Sequence, residues 1–223
     1  MPLAARLTKP LVLDFAPFPY ALRHLMFGFA RHRLRFDPPY DVTGGEHLAQ
    51  ASPSSGLLVV TVHLTLGRLA FRALHDRGHR LAIIAAPAPP GVSEFIPGVD
   101  TPAESIANDP RCLLRAHEAL RRGRLVVISL DMPERRDGAY PLTGVSGRTK
   151  YVYDTAFRFA ERAGVPLVCS TAFVDAAGRA SVTLHQPAAR PWLGAGSADA
   201  CARECVAFFA AQLDRQAEGI PQG

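Results

Sequence analysis

The chain has 223 residues, 48% of them hydrophobic and 20% charged, which gives one sizeable core and excludes a disordered polymer. Its formal net charge is +5 and its pI about 9.3, an excess carried by arginine, since Lys9 and Lys150 are the only two lysines. Such a surface suits anionic partners (acidic carrier proteins, phosphorylated or sulfated metabolites, anionic lipid), or serves only solubility if the charge is evenly spread. Four cysteines, Cys112, Cys169, Cys201 and Cys205, show no CxxC spacing. That points to buried free thiols in a reducing cytoplasm rather than to disulfides or a metal site.

In chain order, residues 1–45 read as an N-terminal helical segment and 46–223 as a single α/β domain. The apolar run LVLDFAPFPYALRHLMFGFA (11–30) is broken by Asp14, Pro17, Pro19, Arg23 and His24, so neither a membrane span nor a secretion signal is expected. Over 20–36 a basic face opposes a Leu/Met/Phe face. Such a helix docks on its own domain, or lies against a protein partner or a membrane surface.

A polar stretch then leads to a strand, LLVVTV (57–62). The segment 63–78 is a helix with an apolar stripe at Leu66, Leu69, Ala70, Ala73 and Leu74, stopped by Gly78. A strand RLAIIAA and a breaker-rich loop, PAPPGVSEFIPGVDTP, come next. Residues 110–123 form an amphipathic helix, followed by the strand RLVVISLD and a loop over 132–150. The helix YVYDTAFRFAERAG, the strand VPLVCSTAFV, the turn DAAGR, the strand ASVTLHQPA and a closing helix over 197–219 complete the chain.

Val/Ile/Leu-rich strands alternating with helices predict an α/β fold, a central mostly parallel sheet covered by helices on both faces. Ligands of such sheets sit beyond the carboxyl ends of the strands. His63 follows LLVVTV and Asp131 follows LVVISL at those ends, with Ser170 or Thr171 after PLVC as a third candidate. Each has a plainer reading as well: a satisfied strand-end histidine, and an aspartate that caps its own loop.

The order of these pieces over 57–187 resembles the lysophospholipid acyltransferase superfamily, most closely its lipid A lauroyl/myristoyl acyltransferase branch. The resemblance rests on a strand ending in His63 at a helix start and on the helix–Gly–strand–Asp unit LLRAHEALRRGRLVVISLD. It continues in the Leu142–Gly144 segment, where that branch has Phe-x-Gly, and in TAFRFAERAGVPLVCSTAFV. The family signature is a histidine, four residues, then Asp or Glu; the histidine takes a proton from an acceptor that attacks an acyl thioester, and the acid orients it. Here His63 matches, but Arg68 stands where the acid belongs, and a cation cannot orient an imidazole or offset its charge. The spacing of His32 and Asp37 also fits, but it precedes the first strand and is expected by chance.

The resemblance implies His63 as the catalytic base; Asp131, the best remaining carboxylate, is the other expected catalytic group, replacing the missing acid from another strand if it reaches His63 or acting as a base itself. Thr65 and Arg68, at the helix start, and Arg148 and Lys150, in a basic loop with Arg135 and Arg136, are the expected anion-binding residues. The expected partner is acyl-CoA or an acidic carrier protein bearing the substrate, with a cytoplasmic location, peripheral membrane contact at most, and no cofactor. Two alternatives stay open: a repurposed enzyme that eliminates an anionic leaving group or cyclises its substrate, and a non-catalytic partner subunit. No G-x-S-x-G, Walker, dinucleotide or H-E-x-x-H motif occurs, and no nucleic-acid pattern, so nucleic acid is not an expected partner.

Overall fold

The structure, a computed structural model, describes residues 40–52, 55–64, 67–85, 103–144, 147–174 and 180–218. Most of the expected N-terminal helical segment, Thr65 and the side chain of Arg68 lie outside the described residues.

Ten strands and four α-helices make up the described chain. Strand β1 (Tyr40–Thr43) leads through a 3-10 helix (Gly45–Gln50) to β2 (Leu57–Thr61), α1 (Gly67–Asp76), β3 (Leu81–Ala85) and β4 (Glu104–Ala107). Helix α2 (Cys112–Arg121), β5 (Leu125–Ser129), β6 (Asp131–Met132), β7 (Tyr140–Thr143) and β8 (Thr149–Val152) follow. Helix α3 (Thr155–Ala163), β9 (Leu167–Val174), β10 (Ala180–His185), a short 3-10 turn and α4 (Ala198–Glu218) close the fold.

Seven strands form one sheet in the order β1-β10-β9-β2-β5-β3-β4. The block from β9 to β4 is parallel, while β10 runs antiparallel to β9 and carries β1 beside it. The expected α/β architecture with a mostly parallel sheet is therefore present. Period-two alternation sends Leu58, Val60 and Val126 to one face, where they pack with Ala116, Phe157 and Phe209 of α2, α3 and α4. Leu57, Val59 and Val127 go to the other face, over which α1 and the first 3-10 helix lie. Strands buried on both sides have no polar face to show, which is why β2 reads LLVVT without alternation.

Four strands escape the sequence reading. β1 lies in the polar stretch before β2, and β4 in the segment before α2. The loop over 132–150 contains β7 and β8, which form a small antiparallel sheet with β6 in the order β6-β8-β7. Its strands are of two to four residues and carry Pro141 and polar residues, so no hydrophobic period announces them. For the same reason the helix expected from 151 begins only at Thr155, since Tyr151 and Val152 belong to β8. Among the described residues no helix is long and apolar enough to cross a membrane.

Gly56 shows how tightly the sheet joins its helices: its N–H donates to the carbonyl of Leu120 at 2.8 Å. A Cβ there would stand 2.0 Å from the backbone oxygen of Arg124. Gly56→Ala is expected to lower unfolding free energy by about 1–3 kcal/mol through overpacking. Phe157→Ala, which empties a site that is 0% exposed, should cost about 3–5 kcal/mol. The 67% exposed Leu193, changed to Ser, should stay within about 0.5 kcal/mol of wild type in the same urea titrations.

Candidate functional site

β2 and β5 are hydrogen-bonded neighbours in the middle of the sheet, and the chain leaves them in opposite directions. From β2 it passes through α1 toward β3; from β5 it passes through the small sheet and α3 to β9, on the other side of β2 and the other face. A crevice opens at such a switch point, and the residues that follow the two strands line it. Those residues are His63 and Asp131.

The ladder between the two strands runs one residue past β5, with Leu130 N–H donating to the carbonyl of Thr61 at 2.9 Å. This places Asp131 against the turn that carries His63. Asp131 Oδ1 accepts from the backbone N–H of His63 at 2.6 Å and lies 2.9 Å from its Nδ1. Asp131 Oδ2 accepts from Lys150 Nζ at 2.7 Å. Lys150 reaches it because β6 pairs with β8: Val152 is opposite Asp131, and Lys150, two residues earlier, shares that face.

The three side chains form a gradient from interior to solvent. That of Asp131 is 0% exposed, of Lys150 21% and of His63 39%. Burial alone would push the Asp131 carboxyl up; the hydrogen bond and charge of His63, with the Lys150 ammonium, outweigh it and hold the group below the usual carboxylate range. An ionised carboxylate only accepts, so Nδ1 of His63 carries the shared hydrogen, and in the uncharged imidazole Nε2 then presents its lone pair. A histidine held this way is equipped to accept a proton at Nε2.

The other expected residues fall in different places. Arg148 is exposed beside β8, and its carbonyl accepts from Gly144 N–H at 2.8 Å, closing the loop on which it sits. Arg135 and Arg136 are exposed in the turn after β6, with the Arg136 guanidinium 5.5 Å from the Tyr153 ring centroid. None of the three has a carboxylate partner within salt-bridge distance among the described residues, and they form a cationic border on the side of the small sheet, interrupted by the exposed Glu134 and Asp137. Ser170 and Thr171 are completely buried and bond neither His63 nor Asp131; the carbonyl of Ser170 accepts from the Thr61 hydroxyl at 2.8 Å instead.

Cys169, Cys201 and Cys205 are buried free thiols between β9 and α4, with burial pushing Cys169 and Cys205 up and hydrogen bonding to Cys205 doing the same to Cys201. No cluster of three or more potential metal ligands occurs among the described residues. A groove of about 450 Å³ lies between α2 and α3, lined by Leu113, Leu114, His117 and Phe159 among others, and touches none of the three site residues.

The link to Lys150 is what sequence reading missed. Position 150 reads as part of a loop rim, and only the β6–β8 pairing turns it toward Asp131. The available signal was compositional: a lysine in a chain whose other cations are nearly all arginine.

The depressed Asp131 pKa has a definite sign for stability. Its contribution is complete above the unfolded carboxylate value of about 3.9 and is lost as pH falls through the lower folded value. Asp131→Asn should therefore cost about 3 kcal/mol at pH 7, the low end for breaking a buried ion pair because its partners reach solvent. It should also flatten the loss of stability below pH 4, as read by urea unfolding at pH 3 and pH 7. No protein-family model and no curated protein matches the chain, so the chemistry of this site follows from the geometry of His63, Asp131 and Lys150.

Proposed function

We propose that the protein is an acyltransferase-like enzyme of the lysophospholipid acyltransferase kind, in which His63 is the general base and Asp131 the acid that orients it. The observation that carries this reading is the 2.9 Å contact between His63 Nδ1 and a fully buried Asp131, with the imidazole open to solvent on its other side. The order of strands and helices around His63 supports it, and Asp131 occupies the orienting role for which the sequence position of Arg68 offers only a cation.

In the reaction, an acceptor hydroxyl or amine binds at Nε2 and gives up its proton as its oxygen or nitrogen attacks the thioester carbonyl. Asp131 stabilises the imidazolium that results. Collapse of the tetrahedral intermediate breaks the carbon–sulfur bond, and the leaving thiolate takes the proton back from Nε2. The products are an ester or amide and a free thiol. The cationic border of Arg135, Arg136 and Arg148 suits a phosphorylated donor, either acyl-CoA or an acyl chain on an acidic carrier protein.

That same border favours one other reading. A cation-lined crevice also stabilises a departing sulfate, phosphate or carboxylate, so the His63 base would serve an elimination or an intramolecular cyclisation on a carrier-bound substrate.

The two are separated by product. Incubation with acyl-CoA and acyl-carrier donors plus hydroxyl or amine acceptors should release free thiol, measured with a thiol reagent. His63→Gln should lower the rate by about 10³–10⁴-fold and Asp131→Asn by a similar factor. No thiol with any donor, or full activity in His63→Gln, rejects the acyl-transfer reading; anion release without thiol selects the second.

A further inference from the structure

The ion pair of Lys150 with Asp131 has no counterpart in the need to orient an imidazole, since one carboxylate oxygen already holds both His63 N–H groups. Its purpose has to be sought in charge. Removing a carboxylate from water is tolerated only against a cation, and among the described residues two groups are within reach of Asp131: the ammonium of Lys150 and the imidazole of His63 when it carries a second proton. With the ammonium in place, the cluster is neutral while the imidazole is uncharged. Without it, the cluster reaches neutrality only by keeping a proton on the imidazole, and Nε2 then has no lone pair to offer.

We propose that Lys150 is a positioning residue that supplies the countercharge of Asp131, so that the His63 imidazole stays uncharged and its Nε2 is free to take a proton. This deepens the reading of His63 as the base and rests on it for its purpose, though not for its test.

Three further observations favour it. The chain has only two lysines among its 25 basic residues, and one of them stands here. A compact ammonium suits a single carboxylate oxygen, whereas the flat fork of an arginine seeks both oxygens and would compete with His63 for Oδ1. Lys150 sits on β8, the central strand of the small sheet, so the pairing that makes the strand also holds the charge in place.

Among the described residues, the charged groups that act on Asp131 are His63 from the end of β2 and Lys150 from β8. The other titratable groups on the described elements packed there are Tyr151 on β8 and Tyr140 on β7, whose hydroxyl bonds Asp199, together with Arg148 before β8 and the exposed Glu134, Arg135, Arg136 and Asp137 after β6. All three arginines are cations across the accessible pH range, so the change in Lys150 is what the experiment varies.

The test is a proton titration of the full chain with isotope-labelled histidine, followed by NMR, the His63 signals being identified by their loss in His63→Gln. In Lys150→Met the His63 imidazole should lose its proton about one pH unit or more higher than in wild type. Lys150→Arg, which keeps the charge but also draws on Oδ1, should fall between wild type and Lys150→Met.

Equal titration of Lys150→Met and wild type overturns the proposal, as does an equal shift in the Met and Arg variants. If Lys150→Met does not fold, Asp131→Asn and the double variant Asp131→Asn/Lys150→Met decide the matter, since neither contains the buried carboxylate. The imidazole of the single variant, left with an unbalanced ammonium, should lose its proton at lower pH than that of the double variant; coincident curves overturn the proposal. No turnover enters these measurements. A shifted titration in a protein that releases no thiol would therefore sink the acyl-transfer reading and leave the role of Lys150 standing.

Discussion

The carboxylate of Asp131 is taken wholly out of water at the carboxyl end of the sheet, and a charge in that position has to be answered from every side. The chain answers it with three donors from two separate segments: the backbone and ring of His63, one after the other at the end of β2, and the ammonium of Lys150 on β8. Much of the local architecture follows from that requirement. β2 and β5 must be neighbours in register, the ladder must hold to Thr61 at the end of β2, and the chain after β5 must fold back as a small sheet rather than wander as a loop.

The gradient of exposure gives this arrangement a direction. Solvent meets the imidazole, while the carboxylate behind it is fully covered and Lys150 lies between the two in exposure. The sheet supplies the rigidity such a site needs, because β2 is buried on both faces and its two neighbours are fixed by parallel pairing. On one face α1 packs through small residues, Ala70 and Ala73 against Ala172; on the other, Phe157 and Phe209 fill the space beneath α3 and α4. The exposed arginines, by contrast, lie on turns of the small sheet, outside the sheet that fixes His63 and Asp131.

Sequence patterning located the main strands and helices because burial leaves a mark on composition. Val59 and Val127 have no alternative to the interior, and Gly164, which ends α3 with a positive φ of 64°, is the residue for which that conformation costs least. The pattern failed where burial is partial. Tyr40–Thr43 alternates between half-buried and exposed at the sheet edge, and Tyr140–Thr143 carries a proline and a threonine on its open side, so neither has a period strong enough to separate it from a loop. Short edge strands are made by their partners, and partners are not visible in a linear string.

By itself the sequence determined that an α/β domain forms around Val-, Ile- and Leu-rich strands, and that His63 and Asp131 end two of them. It did so because local composition governs which segments leave water. What only the tertiary structure decided is that these two ends belong to adjacent strands, that Asp131 takes the orienting place at His63, and that Lys150 turns from the rim toward that carboxylate. Those are matters of strand order and register between residues as far apart in the chain as 63, 131 and 150. Interactions at such separations are chosen by the packing of the whole sheet, not by the residues beside them.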